Sequence, residues 1–399
     1  MASTENQGQG NDQGGDPDRD DDNDDNQGDD NNQGNDDDQG NDDDQGHDGD
    51  DQGDSNHNHD PPCYCRGTLI RAERGEVCVE DLAIGDRVLT ISGESKPVKW
   101  IGKRGYSGQF IAGNRTVLPV VVRAGALAPD IPARDLWVSP WHALLLDGAL
   151  VPAKLLVNGQ TILQPEAVDQ VEYFHLEFEA HEVIWAEGAP AESYVECDNR
   201  QGFHNAHEFA ALYPDDRRAS FGRCLPVLEP GTAELAAIRD RLFERAAALG
   251  HSATADPDLH LVVDGTIVAP RLIDGRYTFE LDAPTHEVWL ASRCGVPAEL
   301  QLLSNDRRCL GVCIEQLVLR DAHLRVEISP AHPSLCEGFH EDERGVRRWT
   351  NGRGWIPERF LRAFTGGFTI EVRCLPPLPR YLLNRKSIDI PKHFSRLVA

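Results

Sequence analysis

The sequence predicts a mainly β protein behind a disordered, acidic N-terminal tail. Three observations carry that expectation. From residue 63 onward, short alternating apolar runs are broken by turn pairs such as Arg74-Gly75, Ser92-Gly93 and Asp147-Gly148, the pattern of hairpin-connected strands. One stretch alone keeps a convincing helical spacing. The first 62 residues contain almost nothing apolar to bury, so they cannot offset the entropy of ordering.

The tail, residues 1–62, is built from Asp, Asn, Gln and Gly, with "NDDDQG" repeated at 35–40 and 41–46. It holds 22 acids (Glu5 and 21 Asp) against Arg19, which places there 21 of the 28 net negative charges of the 399-residue chain. Such a run repels itself and stays solvated. Its carboxylates suit hard divalent cations weakly, but the glycine and bidentate Glu spacing of a calcium loop is missing. The acidic balance, with no basic stripe, excludes nucleic acid as an expected partner.

Residues 63–197 read as one all-β domain. "TLIRAERGEVCVEDL", "RVLTISGESKPVKWI" and "HALLLDGALVPAKLL" each alternate about a turn, and "VLPVVVRA" and "VEYFHLEFEAHEVIWAEG" add further strands. Residues 198–255 form a connection with one amphipathic helix. There Leu235, Ile238, Leu242, Ala246 and Leu249 keep helical spacing between Pro230-Gly231 and Gly250. Residues 256–375 return to strand patterning and predict a second, small β-sandwich-like domain. Residues 376–399 are a Pro-rich, basic exit. In the second domain, Trp349 and Trp355 of "RRWTNGRGW" are expected to close a core rather than to stack on a sugar.

The longest apolar runs, such as "LPVVVRAGALA", fall well short of a membrane span. The opening "MASTENQGQG" has no signal-peptide pattern. The expectation is a soluble protein, cytoplasmic or secreted by a leaderless route. Ten cysteines without a CxxC pair make no disulfide scaffold and leave the redox compartment open. The segment "HNHDPPCYC" gathers His57, His59, Cys63 and Cys65, but the spacing matches no closed zinc site, so no metal and no cofactor are expected.

The chemistry is expected where the tail meets the fold. The backbone nitrogen of Cys63 belongs to the peptide bond that joins the two, and the thiol can reach the carbonyl of Pro62 through a five-membered ring. A cysteine so placed can convert its own amide into a thioester, with proximity built in. The shift needs a donor for the departing nitrogen and a hydroxyl to hold the amide. "VSPWHALLLDG" supplies both in Ser139 and His142. Cys65, two positions on, falls on the same strand face as Cys63 and has no assigned role.

At these residues the sequence resembles the Hint family, the self-processing domains of inteins and of the hedgehog C-terminal region. "CYCRGTLI" is similar to the family's opening block, with Cys63, Tyr64, Gly67 and Thr68 in the nucleophile, aromatic and Gly-Thr positions. "VEDLAIGDRVLT" is similar to its second stretch, through Gly85-Asp86, and "VSPWHALLLDG" to its Thr-x-x-His block, through Ser139 and His142. "YFHLEFEAHEVIWAEGAPAES" resembles the closing block, with His181 where that block often has a histidine. The resemblance spans residues 63–197 and is closest to the bacterial members. It implies a horseshoe-like all-β domain with pseudo-twofold halves, and catalytic roles for Cys63, Ser139, His142 and His181.

The chain's own N-terminal segment is then the substrate. Cys63 attacks the Pro62 carbonyl, Ser139 orients the amide, His142 protonates the nitrogen, and water or a thiol resolves the thioester in a single turnover. Full splicing is not expected, because His204-Asn205 is followed by Ala206, which carries no nucleophile. A hedgehog-type acceptor is not expected either, since "VKWIGKRG" carries no acid. The competing reading is a non-processing scaffold that acts as a secreted or surface interaction protein, with an unidentified ligand on the C-terminal β domain.

Overall fold

The computed structural model describes residues 62–195, 199–216, 222–301, 304–383 and 388–394. By backbone contacts the chain divides into Met1–Asn56 and His57–Ala399, and every described residue belongs to the second unit. The acidic tail, with His57 and His59, lies outside the described residues.

Two antiparallel sheets build the N-terminal half. The first runs, in order, Ile162–Leu163, Val120–Val122, Leu136–Val138, Tyr64–Cys65, Gln170–Glu177 and Trp100–Ser107. The second runs Ala149–Pro152, Ala143–Leu146, Ala189–Glu192, Val183–Ala186, Leu69–Ala72, Arg87–Leu89 and Ser95–Pro97, with Gly75–Cys78 also on Leu69–Ala72. Alternate residues of both sheets, among them Ile70, Val88, Val138, Leu144, Leu176 and Ile184, meet in one apolar core. The hairpin expected at Asp147-Gly148 forms with Leu146 opposite Ala149. Both turn residues have positive φ, 51° and 82°, which Asp tolerates and Gly adopts freely.

The amphipathic helix spans Ala233–Ala248 and starts two residues after Gly231. Thr232 caps it, its side chain accepting the Leu235 N–H, and Leu235, Ile238 and Leu242 bury into the core of the N-terminal sheets. A second helix, Ala206–Leu212, forms in the connection, where the sequence predicts only the one amphipathic helix. Phe209 anchors it, buried 5.7 Å from the ring of Trp100.

Residues 256–375 form a four-stranded sheet (Thr266–Val268, His260–Val263, Val288–Ala291, Arg353–Ile356) and a seven-stranded one centred on Phe368–Cys374 and Cys313–Arg320. Leu261 and Leu290 of the first share a core with Phe279, Leu317 and Ile370 of the second, which makes this half sandwich-like. Cys294 and Cys309 are joined as a disulfide, a pairing the cysteine count did not foretell. Trp349 is half-buried against the cluster of Leu300, Leu310, Leu378 and Tyr381. The described part of the basic exit folds back: Phe394 is fully buried, 4.9 Å from the ring of Trp137. No helix among the described residues is long and apolar enough to cross a membrane.

Candidate active site

The register of the first sheet fixes the surroundings of Cys63. Tyr64 pairs with Phe174 on one side and with Val138 on the other. Antiparallel pairing one residue back therefore sets Cys63 between His175 and Ser139. The contacts agree: the Cys63 N–H donates to Ser139 Oγ at 2.9 Å, and the Ser139 N–H donates to the Cys63 carbonyl at 2.9 Å. On the other side the Cys63 sulfur lies 3.5 Å from Nδ1 of His175.

His142 sits beside this group, held through its backbone N–H, which donates to the Ser139 carbonyl at 3.1 Å. Its ring packs edge-on to Tyr64 at 4.3 Å, and both ring nitrogens are buried without a hydrogen-bond partner. Burial pushes His142 down to about 4, against the pull of the Glu192 carboxylate and the Cys63 backbone, with His181 lowering it further. The ring is therefore neutral at neutral pH and not the ready acid expected of the donor to the Cys63 nitrogen. The general rule that histidine titrates near neutrality gives way here to desolvation.

His175 was not singled out by the sequence argument. It is buried among Tyr194 and Phe203, with ring centroids at 4.0 and 5.0 Å. Burial first, and then His142, hold its pKa well below the usual value, with the Pro62 backbone opposing them. It thus faces the Cys63 thiol beside the peptide bond at issue. The one signal in the sequence is an imidazole within the apolar run Tyr173-Phe174-His175-Leu176.

His181 stands one step away from Cys63. Its Nε2 meets Glu192 Oε2 at 3.3 Å. The same carboxylate accepts the Ala143 N–H at 2.7 Å through Oε1, and the Glu192 carbonyl accepts the Tyr64 hydroxyl at 2.8 Å. His181 therefore buttresses the segment that carries His142. Cys65 is fully buried, and burial, with the neighbouring Cys63 next, pushes its thiol well above the usual value. The Asn205 amide is taken up by the strand Trp100–Ser107, receiving the Lys103 N–H at 2.8 Å and donating to the Ile101 carbonyl at 2.9 Å. No group of three or more metal-ligating side chains occurs among the described residues.

Cys63, just ahead of the strand Tyr64–Cys65, is thus set between a serine and a histidine of neighbouring strands in a pair of antiparallel sheets. Residues 62–198 match the family model described as "Hint domain", and this part of the chain is a Hint-family domain. Solved structures similar to the chain include the MchDnaB-1 intein, 14% identical over 33% of this chain and 98% of that one, with a TM-score of 0.25. A DnaB intein from Synechocystis is 14% identical over 33% and 98%, with a TM-score of 0.24. A bacterial intein-like domain from Clostridium thermocellum is 16% identical over 33% and 97%, with a TM-score of 0.23. No curated protein matches the chain.

Proposed function

We propose that the domain cleaves its own chain between Pro62 and Cys63 by an N–S acyl shift followed by hydrolysis, without splicing. The observation that carries this reading is the position of Cys63, whose N–H is held by Ser139 while its thiol faces His175. His175, kept neutral by burial, accepts the thiol proton as sulfur bonds to the Pro62 carbonyl carbon. The C–N bond breaks, and the proton lost by sulfur ends on the Cys63 nitrogen, so the shift is proton-neutral. Ser139 orients that nitrogen, His142 stands beside it as a neutral ring with both nitrogens unpartnered, and His181 fixes the His142 segment through Glu192.

Water then adds to the thioester, leaving a carboxylate at Pro62 and restoring the Cys63 thiol. The room open to water beside Cys63, walled by Arg104, Tyr106, Thr116 and Tyr173, is about 10 Å³, the scale of a single molecule. The test is incubation of the full chain with and without hydroxylamine, read by mass spectrometry. A fragment ending at Pro62, or its hydroxamate, is expected. An intact chain under both conditions, with the fold retained, overturns the reading in favour of a non-processing interaction scaffold.

A further inference from the structure

A second cysteine stands against a buried histidine, away from the junction. Cys224 is exposed, and its sulfur lies 3.0 Å from Nδ1 of His181. On the far side of the same ring, Nε2 faces Glu192 at 3.3 Å, with both side chains fully buried. The tautomer follows from the contacts: the Cys224 backbone N–H donates to Nδ1 at 3.1 Å, so Nδ1 carries the lone pair and Nε2 carries the hydrogen toward the carboxylate. The order nucleophile, base, orienting acid is the arrangement by which proteins activate a weak nucleophile. Arg223, 3.7 Å from Glu192, supplies a cation beside it.

His181 and Glu192 meet across the hairpin of Val183–Ala186 and Ala189–Glu192, and Cys224 comes from a separate segment, so no local motif announces the three. Burial, followed by the Glu182 carboxylate, pushes the Cys224 thiol up. Cys224 therefore rests as the thiol, and its proton moves only as a new bond to sulfur forms. Because the Cys224 N–H is turned toward His181, it cannot serve as an oxyanion donor. The site is thus better suited to attack on sulfur than on a carbonyl, since disulfide exchange develops no oxyanion.

We propose that Cys224 is a base-assisted reactive thiol that takes up a small-molecule disulfide as a mixed disulfide. The Cys224 sulfur bonds to one sulfur of the incoming disulfide, the old S–S bond breaks, and the second sulfur leaves as a thiolate. The Cys224 proton passes to Nδ1 of His181 and then to solvent. Glu192 steadies the transient imidazolium. This site does not depend on cleavage at Cys63 and is tested separately from it.

The experiment treats the full chain with 5,5′-dithiobis(2-nitrobenzoic acid) near neutral pH and follows release of the coloured thiolate. Peptide mass spectrometry of quenched samples assigns each labelled cysteine. Cys336, also exposed and free, is the internal standard. Cys224 is expected to be labelled about tenfold faster than Cys336. C336S keeps the fast phase and C224S removes it, while H181Q brings Cys224 down to the rate of Cys336. Equal labelling of the two cysteines in the wild-type chain overturns the proposal even if H181Q fails to fold. So does an unchanged Cys224 rate in a folded H181Q protein.

Discussion

Cys63 is placed by pairing on both of its edges, and each neighbour has a separate job to lose. Replacing His175 with Gln removes the base from the thiol while leaving a polar side chain of similar size. Cleavage at Pro62–Cys63 is expected to slow by roughly 10²–10⁴-fold, the usual reach of a positioned base, as measured by the rate of fragment appearance. An unchanged rate would remove His175 from the account. His142 carries a second, thermodynamic prediction. Its folded-state pKa of about 4 lies below the usual 6.5, so the unfolded chain binds a proton more readily. The contribution is fully present above about pH 6.5 and is lost as the pH falls toward 4. The loss is on the order of 3 kcal/mol over that window. Urea unfolding midpoints at pH 7 and pH 4.5 should converge for wild type and H142Q at the lower pH if the effect is present, and move in parallel if it is not.

At the level of elements, the helix Ala233–Ala248 shows what could be read from the sequence. Its apolar spacing identifies the buried face, and Leu235, Ile238 and Leu242 do bury into the core of the N-terminal sheets. Leu242→Ala is expected to cost about 2–5 kcal/mol, read as a lowered unfolding midpoint. A change below about 0.5 kcal/mol, the range of surface substitutions, would mean that the helix does not pack there. The hairpin at Asp147-Gly148 was equally legible, because turn chemistry is local. His175 was not, since which imidazole faces Cys63 is decided by the pairing of Tyr64–Cys65 with Gln170–Glu177 across more than a hundred residues. The helix Ala206–Leu212 was missed for a related reason. It is only seven residues long, and it is held in place by tertiary contacts, Phe209 against Trp100 among them, rather than by propensity.

Over the whole molecule, the two β halves are tied together through Arg239. Its guanidinium donates to the Leu155 and Val157 carbonyls of the N-terminal half, the latter at 2.9 Å, and to the Glu299 carbonyl of the C-terminal half at 2.9 Å. Burial lowers its pKa to about 10, which leaves it charged at neutral pH. The C-terminal segment adds a second tie, with the Phe394 carbonyl accepting the Asp169 N–H at 3.1 Å. Neither tie was legible from composition, because each joins segments far apart in the sequence through tertiary contacts. The central claim concerns the opposite end of the described chain, where the fold meets Pro62. The most direct test is the intact mass of freshly folded full-length protein followed over time beside a C63A variant. The account predicts that wild type yields a fragment ending at Pro62 together with a chain beginning at Cys63, while C63A stays whole. Wild type that stays whole under native conditions, or C63A cut at the same bond, would contradict it.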